Sequence, residues 1–511
     1  MKKRFIRTRK ARYGGIAAIL TVLVVTVTVL FNTVFGTLVK RYQWYGMMVP
    51  TELTYEVSED CYEILGAVFE NGTDKQVEII FCDLEENVEA DSTLCYVYET
   101  ATSIAERYPD NLTVSFHDIW TNPNTVKQYT TAYNPATGET EKTPLKSTSV
   151  IIVSDGYHRA YDLSEFFAFK DGNTSDVWAY NGERKLTAGI LRAVDTDSPV
   201  VCLTENHGET YYDYELLYLL DDAGYSITYI DLYNDEIPEN CDLIISYNPK
   251  SDLVADEVSE VSEIDILDAF LSEDGNSFLV LVDNTTPDLP NYEAYLEGWG
   301  VHLNEYTDVS TGNTYRYMVQ DSANSLTSDG YTVYGDAVDV GSSAEMLEGL
   351  QRRAVFKNAT SMSAASGFIN NGDGSYTKGD RTLYSLYEGS DEAVSWANGR
   401  PVGDAEMLMT LTEQKNDGAS SYVGVLSSVR FCTEEFMQSA VHGNSDAFLR
   451  LFRNVGKTLT PEGLTVQPFN SQDISTVTTS QMLYWTLGLT LTPAVTASVI
   501  AIAVLVKRRR A

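Results

Sequence analysis

Glu205, His207 and Glu209 alternate at the end of an apolar run, in the stretch "PVVCLTENHGE". A histidine flanked by two carboxylates can ligate a cation or move a proton. A second apolar run, "SFLVLV", ends at Asp283. Open α/β sheets bind ligands just outside the carboxyl ends of their strands. Glu205, His207, Glu209 and Asp283 are therefore the candidate ligand-binding set. The plainer reading is structural: Glu209 precedes a helical segment, where an acid is favoured near the N-terminus, and His207 helps to orient that start. No catalytic residue, metal ligand or cofactor is assigned on these residues.

Other chemistries find little support. The remaining histidines, His117, His158, His302 and His442, are dispersed, with no His-x-His or His-Glu-x-x-His. "NNGDGSYTKGD" places Asn371, Asp373 and Ser375 in alternation, but Tyr376 stands where a calcium-binding EF-hand loop needs glycine, and no Glu closes the loop. The chain lacks Gly-x-x-x-x-Gly-Lys-Ser/Thr, so any ATP hydrolysis through a P-loop belongs to another subunit. None of the 6 cysteines forms a Cys-x-x-Cys pair, and buried free thiols are the expectation. With 73 acidic against 36 basic residues the net charge is −37, which excludes nucleic acid as a partner.

The elements that must position these residues follow from hydrophobic period. Between Pro199 and Val282, short Val/Ile/Leu-rich runs alternate with segments of helical spacing. That alternation predicts strand–helix–strand units feeding a largely parallel sheet. The helix expected over 212–223 carries Leu216, Leu219, Leu220 and Ala223 on one face, with Gly224 as its stop. Upstream, helix 58–69, strand 76–82, helix 94–108, strand 112–118, strand 148–153 and a return strand at 158–163 spell an αβαββ order. This suits a thioredoxin-like domain without the redox motif. Glu183–Val194 reads as a connecting helix. From about 306 to 400 the chain is rich in Ser, Gly and Asp and predicts short strands and long loops. Strand patterns return at 405–412 and 421–426, in position to extend the central sheet. Asn444–Val455 reads as a helix with Phe448, Leu451, Phe452 and Val455 on one face and Asn444 or Ser445 as its cap.

Both ends pair a basic tail with an apolar run. Residues 1–12 and 507–511 are basic, and 13–39 and 482–506 carry no charge. Runs of this length predict transmembrane helices, which need about 20 apolar residues. Basic flanks place both termini in the cytoplasm and residues 40–481 outside. The expected organisation is a tail at 1–12, a span at 13–39, an outer α/β domain at 40–180, a second α/β domain at 181–470 and a linker and span at 474–506. Gly488, Ala494, Ala497 and Ser498 would offer a small-residue face to a partner helix in lipid.

The order of these segments resembles the GldG-like, gliding-motility-associated auxiliary proteins of ABC transporters. "GERKLTAGILRAVD" is similar to that family's connecting helix through Gly182, Glu183, Leu186 and Thr187. "LTENHGE" resembles a strand ending in Gly-His-Gly-Glu through His207, Gly208 and Glu209, with Asn206 replacing the first glycine. The stretch 223–253 matches at Gly224, Tyr225, Asp231, Leu232, Ile237, Pro238, Asp242, Leu243 and Pro249. The resemblance implies a class I glutamine-amidotransferase-like α/β fold for the second domain. It also implies a non-catalytic auxiliary role in a bacterial inner membrane, beside an ABC permease and a separate ATP-binding subunit, the outer domain coupling to or recognising substrate. Where such a fold would carry its nucleophile this chain has Tyr247-Asn248-Pro249-Lys250. A membrane-anchored hydrolase or amidotransferase-like enzyme using His207, and a free-standing surface receptor, are the competing expectations.

Overall fold

In the computed structural model the description covers residues 56–469, apart from 71–73, 135–138, 171–172, 195–198, 212–213, 256–261, 274, 349, 351, 406, 416–418 and 456–459. The chain enters through helix α1 (Glu59–Phe69), whose N-cap is Ser58: its hydroxyl accepts from the Cys61 amide at 3.2 Å. Strand β1 (Val77–Phe81), helix α2 (Leu94–Arg107) and strand β2 (Leu112–Phe116) follow. A hairpin of β3 (Val150–Ser154) and β4 (Tyr157–Tyr161) completes the first sheet, in the order β2–β1–β3–β4. β1 and β2 run parallel, while β3 is antiparallel to both β1 and β4. The apolar residues of "VEIIF" and "VIIVS" are buried in it, apart from the half-buried Val153.

Helix α3 (Gly182–Val194) is buried along nearly its whole length, Glu183, Arg184 and Lys185 included. It packs on the first sheet so closely that a Cβ at Gly189 would stand 2.4 Å from Ile152 Cδ1. Glycine is needed there for space rather than for backbone freedom. The helix also joins the second sheet through Lys185, whose ammonium donates to Asp222 at 2.6 Å. A second tie between the layers is the buried Arg159–Asp221 ion pair.

The second sheet begins with β5 (Val200–Thr204), helix α4 (Glu215–Asp222), β6 (Ser226–Ile230), β7 (Cys241–Tyr247), helix α5 (Glu263–Leu271) and β8 (Ser277–Leu281). Helix α6 (Pro290–Gly298) follows. Later strands β9 (Thr332–Ala337), β10 (Ala354–Lys357), β11 (Arg381–Glu388), β12 (Met407–Lys415) and β13 (Ser420–Leu426) extend the sheet, and helix α7 (Asn444–Val455) closes the fold. Strand order is β6–β5–β7–β8–β13–β12–β11–β9–β10. From β6 to β13 neighbours are parallel, and beyond β13 they are antiparallel. Two apolar cores flank it. Leu216, Leu219 and Leu220 of α4 join Phe448 and Phe452 of α7 on one face. Leu267 and Phe270 of α5 join Tyr292 and Leu296 of α6 on the other. The chain is thus a mixed α/β protein. The patterns read at 405–412 and 421–426 do extend the central sheet, as β12 and β13. The helix expected from 212 runs from Glu215 to Asp222, with 212–213 outside the described residues. All six cysteines are free thiols, and all but the half-buried Cys95 are buried.

One expectation is corrected. Among the described residues, no helix is long and apolar enough to cross a membrane. This conflicts with an inner-membrane protein held by two transmembrane helices. The apolar runs at 13–39 and 482–506 lie outside the described residues, and so do Gly488, Ala494, Ala497 and Ser498.

Candidate functional site

Three loops meet at the carboxyl edge of the parallel strands. The loop after β5 holds Glu205, His207 and Glu209. The loop after β7 holds Asn248, Lys250 and Asp252, and the loop after β8 holds Asp283, Thr285 and Thr286. Asn206 and Gly208 both take positive φ, 73° and 74°, which folds the first loop into a tight reversal. The reversal carries His207 inward to 4 % exposure and leaves Glu205 exposed. The His207 carbonyl accepts from the Lys250 and Ser251 amides at 2.6 and 2.9 Å, locking the first two loops together.

Among the described residues, the contacts of Glu209 run back to the strand and its own loop. Its carboxylate turns back, accepting from the Thr204 hydroxyl at 2.7 Å and from the His207 amide at 2.8 Å. The imidazole reaches across to α5: Nε2 lies 3.1 Å from Glu263 Oε2, and Nδ1 is 3.7 Å from Glu209 Oε1. The Tyr292 ring stands edge-on to the imidazole at 6.1 Å, and its hydroxyl pairs with Ser246 at 2.9 Å. Burial alone would lower the His207 pKa. The hydrogen bond and charge of Glu263, with the charge of Glu209, outweigh it, and the net shift is upward. Glu263 also accepts from the Val254 amide at 2.7 Å. Among the described residues, no hydroxyl or thiol hydrogen-bonds either ring nitrogen of His207.

Asp283 is wholly buried and works apart from this histidine. Its Oδ1 accepts from the Thr285 amide at 2.7 Å and the Thr285 hydroxyl at 2.6 Å. Asn248, at the tip of the β7 turn, adopts φ 53°, an uncommon conformation for a residue other than glycine. Its side-chain oxygen accepts from the Lys250 ammonium at 2.7 Å and the Thr286 hydroxyl at 3.3 Å. The Lys250 pKa is lowered, by burial first, with the charge of Asp283 opposing. The candidate set therefore divides: His207 and Glu209 meet, Asp283 belongs to the neighbouring Asn248–Lys250 cluster, and Glu205 faces outward. Glu263, 56 residues beyond His207, escaped the sequence reading because no local spacing links it to the loop.

The carboxylates of Asp288, Glu293 and Glu305 also lie close enough to hold a cation. Arg316 already fills that role, paired with Glu293 and, at 2.8 Å, with Glu305.

No family model and no curated protein matches the chain. Two solved structures each cover 50 % of it. One is titled "mmIFT52 N-terminal domain", with 14 % identity over 96 % of that chain and a TM-score of 0.36. The other is "Structure of PurLQS from Thermotoga maritima", with 12 % identity over 97 % of that chain and a TM-score of 0.28. Both superpositions are weak.

Proposed function

We propose that this chain is a non-catalytic auxiliary subunit of a bacterial ABC transport system, working beside a separate permease and a separate ATP-binding subunit. In this reading the second sheet is a class I glutamine-amidotransferase-like module and the first a thioredoxin-like one. The β2–β1–β3–β4 order, with β3 antiparallel, supports the latter.

One observation carries the non-catalytic part. Asn248 occupies the strained turn at the carboxyl end of a central parallel strand, where a nucleophile elbow would stand. A carboxamide is no nucleophile, and its oxygen is committed to Lys250 and Thr286. His207 faces two carboxylates instead of a hydroxyl or thiol, an arrangement that supports a rigid loop over acyl transfer. The transport assignment rests on the co-linear resemblance to GldG-like subunits.

The test is affinity purification of the tagged full-length chain, under conditions that hold a known transporter together, with mass spectrometry of what accompanies it. A permease and an ATP-binding subunit in near-equal amounts are expected. Recovery of the chain alone overturns the assignment.

A further inference from the structure

Away from the sheet edge, a cleft of about 320 Å³ opens between α3, α4 and the segment 164–169, with Met437 and Gln438 on its far rim. Its size falls at the lower end of small-molecule sites, which run from about 300 to 1,000 Å³. Among the described residues, two buried acceptor oxygens on its walls have no hydrogen-bond partner, Asn181 Oδ1 and Gln438 Oε1, while Arg184 Nε and Asp222 Oδ2 meet only each other, in a long 3.5 Å ion pair. Buried polar groups are rarely left so, and two open acceptors beside a loosely paired guanidinium on one cavity point to a ligand that supplies the partners.

Arg184 matters most. It is 5 % exposed, and its ion pair is a single 3.5 Å approach of Nε to Asp222. Lys185 takes the other oxygen of that carboxylate at 2.6 Å. Two cations thus share Asp222, the buried Asp446 also feels the Arg184 charge, and the planar fork of the guanidinium matches the geometry of a carboxylate. The opposite character is also present. Glu165 and Glu215 line the cleft, and the free acceptor oxygens of Asn181 and Gln438 await donors. These acids disfavour a dianion such as phosphate and suit an ammonium. Phe167, Phe169 and Tyr218 add apolar wall.

We infer that this cleft binds a small zwitterion, an α-amino acid with an apolar side chain. Arg184 receives its carboxylate, the acceptor oxygens of Asn181 and Gln438 its ammonium, and the aromatic wall its side chain. The site is independent of the sheet edge and of the transport assignment.

Calorimetric titration of the full-length chain tests it, with L-leucine and L-phenylalanine as probes. Leucinamide lacks the carboxylate, 4-methylpentanoate lacks the ammonium, and inorganic phosphate is the competing anion. Saturable binding of leucine or phenylalanine is expected, with leucinamide and 4-methylpentanoate each at least about tenfold weaker and phosphate failing to displace. Arg184→Gln should weaken binding by a similar factor. Tyr218→Ala, at a residue 42 % exposed and so safe for folding, should weaken it severalfold. No saturable binding of either amino acid below about 10 mM overturns the assignment. Displacement by phosphate, equal binding of leucinamide, or unchanged affinity in both variants does the same. Should Arg184→Gln fail to fold, Tyr218→Ala and the leucinamide comparison decide.

Discussion

His207 Nε2 sits 3.1 Å from Glu263 Oε2, and both side chains are nearly sealed from solvent, at 5 % and 2 % exposure. The contact ties the loop after β5 to the first turn of α5. Burial on its own would discharge the imidazole, and the two facing carboxylates hold the proton on instead.

The His207 pKa is therefore raised, and its contribution to stability has a defined sign. It is fully present below the unfolded value of about 6.5 and is lost as pH rises through the higher folded value. Glu263→Gln keeps an acceptor for the Val254 amide but removes the charge. It should cost about 1–3 kcal/mol at pH 6, the range for hydrogen bonds to charged groups, and much less at pH 9. Urea midpoints of both proteins at the two pH values check this. An equal deficit at both would show that the proton plays no part.

The first sheet and α4 are joined by a buried charge pair. Arg159 donates to Asp221 at 2.5 Å, approaches Glu165 at 3.7 Å and lies over the Tyr161 ring at 4.8 Å. Removing the acid strands a guanidinium in the interior. Asp221→Leu should cost about 3–5 kcal/mol, whereas Arg159→Met with Asp221→Leu should recover much of that loss, since a buried pair is worth little against apolar packing. The comparison is of denaturant midpoints for the single and double variants. A double variant no more stable than the single would refute the pairing argument.

Local pattern was legible and distant pairing was not. "NSDAFLRLFRNV" reads as a helix from its period, and α7 spans those residues, Asn444 to Val455. Asn444 or Ser445 was expected as its cap. In the fold the Asn444 side chain binds Val355 through both amide and carbonyl and also donates to the Phe431 carbonyl, so it stitches α7 to β10. Nothing in the helical period could reveal a partner 89 residues away. The same holds at the sheet edge. The placement of His207 at the end of a strand was legible, but its burial and the turn at Asn206–Gly208 were not. The Glu263 partner depends on where α5 packs, and no spacing shows that Glu209 accepts from Thr204 and the His207 amide. The cleft beside Arg184 was hidden because Glu183–Val194 reads only as a connecting helix, and its period does not say that Glu183, Arg184 and Lys185 are buried.

His442 is the counterpart of His207, buried with no ion pair to a carboxylate among the described residues. It is 5 % exposed and packs against the rings of Tyr334 and Phe436, each at 5.9 Å. Burial pushes its pKa down to about 4, with only the charge of Glu435 opposing. The neutral form is native, so the sign is the reverse of that at His207. The contribution is present above the unfolded value of about 6.5 and drains away as pH falls toward the folded value. The span between those two values corresponds to about 3 kcal/mol of stability lost by acidification. His442→Leu removes the titration, so its stability should fall about 2–3 kcal/mol less than that of the parent between pH 7 and pH 4.5. Chemical unfolding at both pH values measures the difference, and parallel losses in the two proteins would place the acid sensitivity elsewhere in the fold.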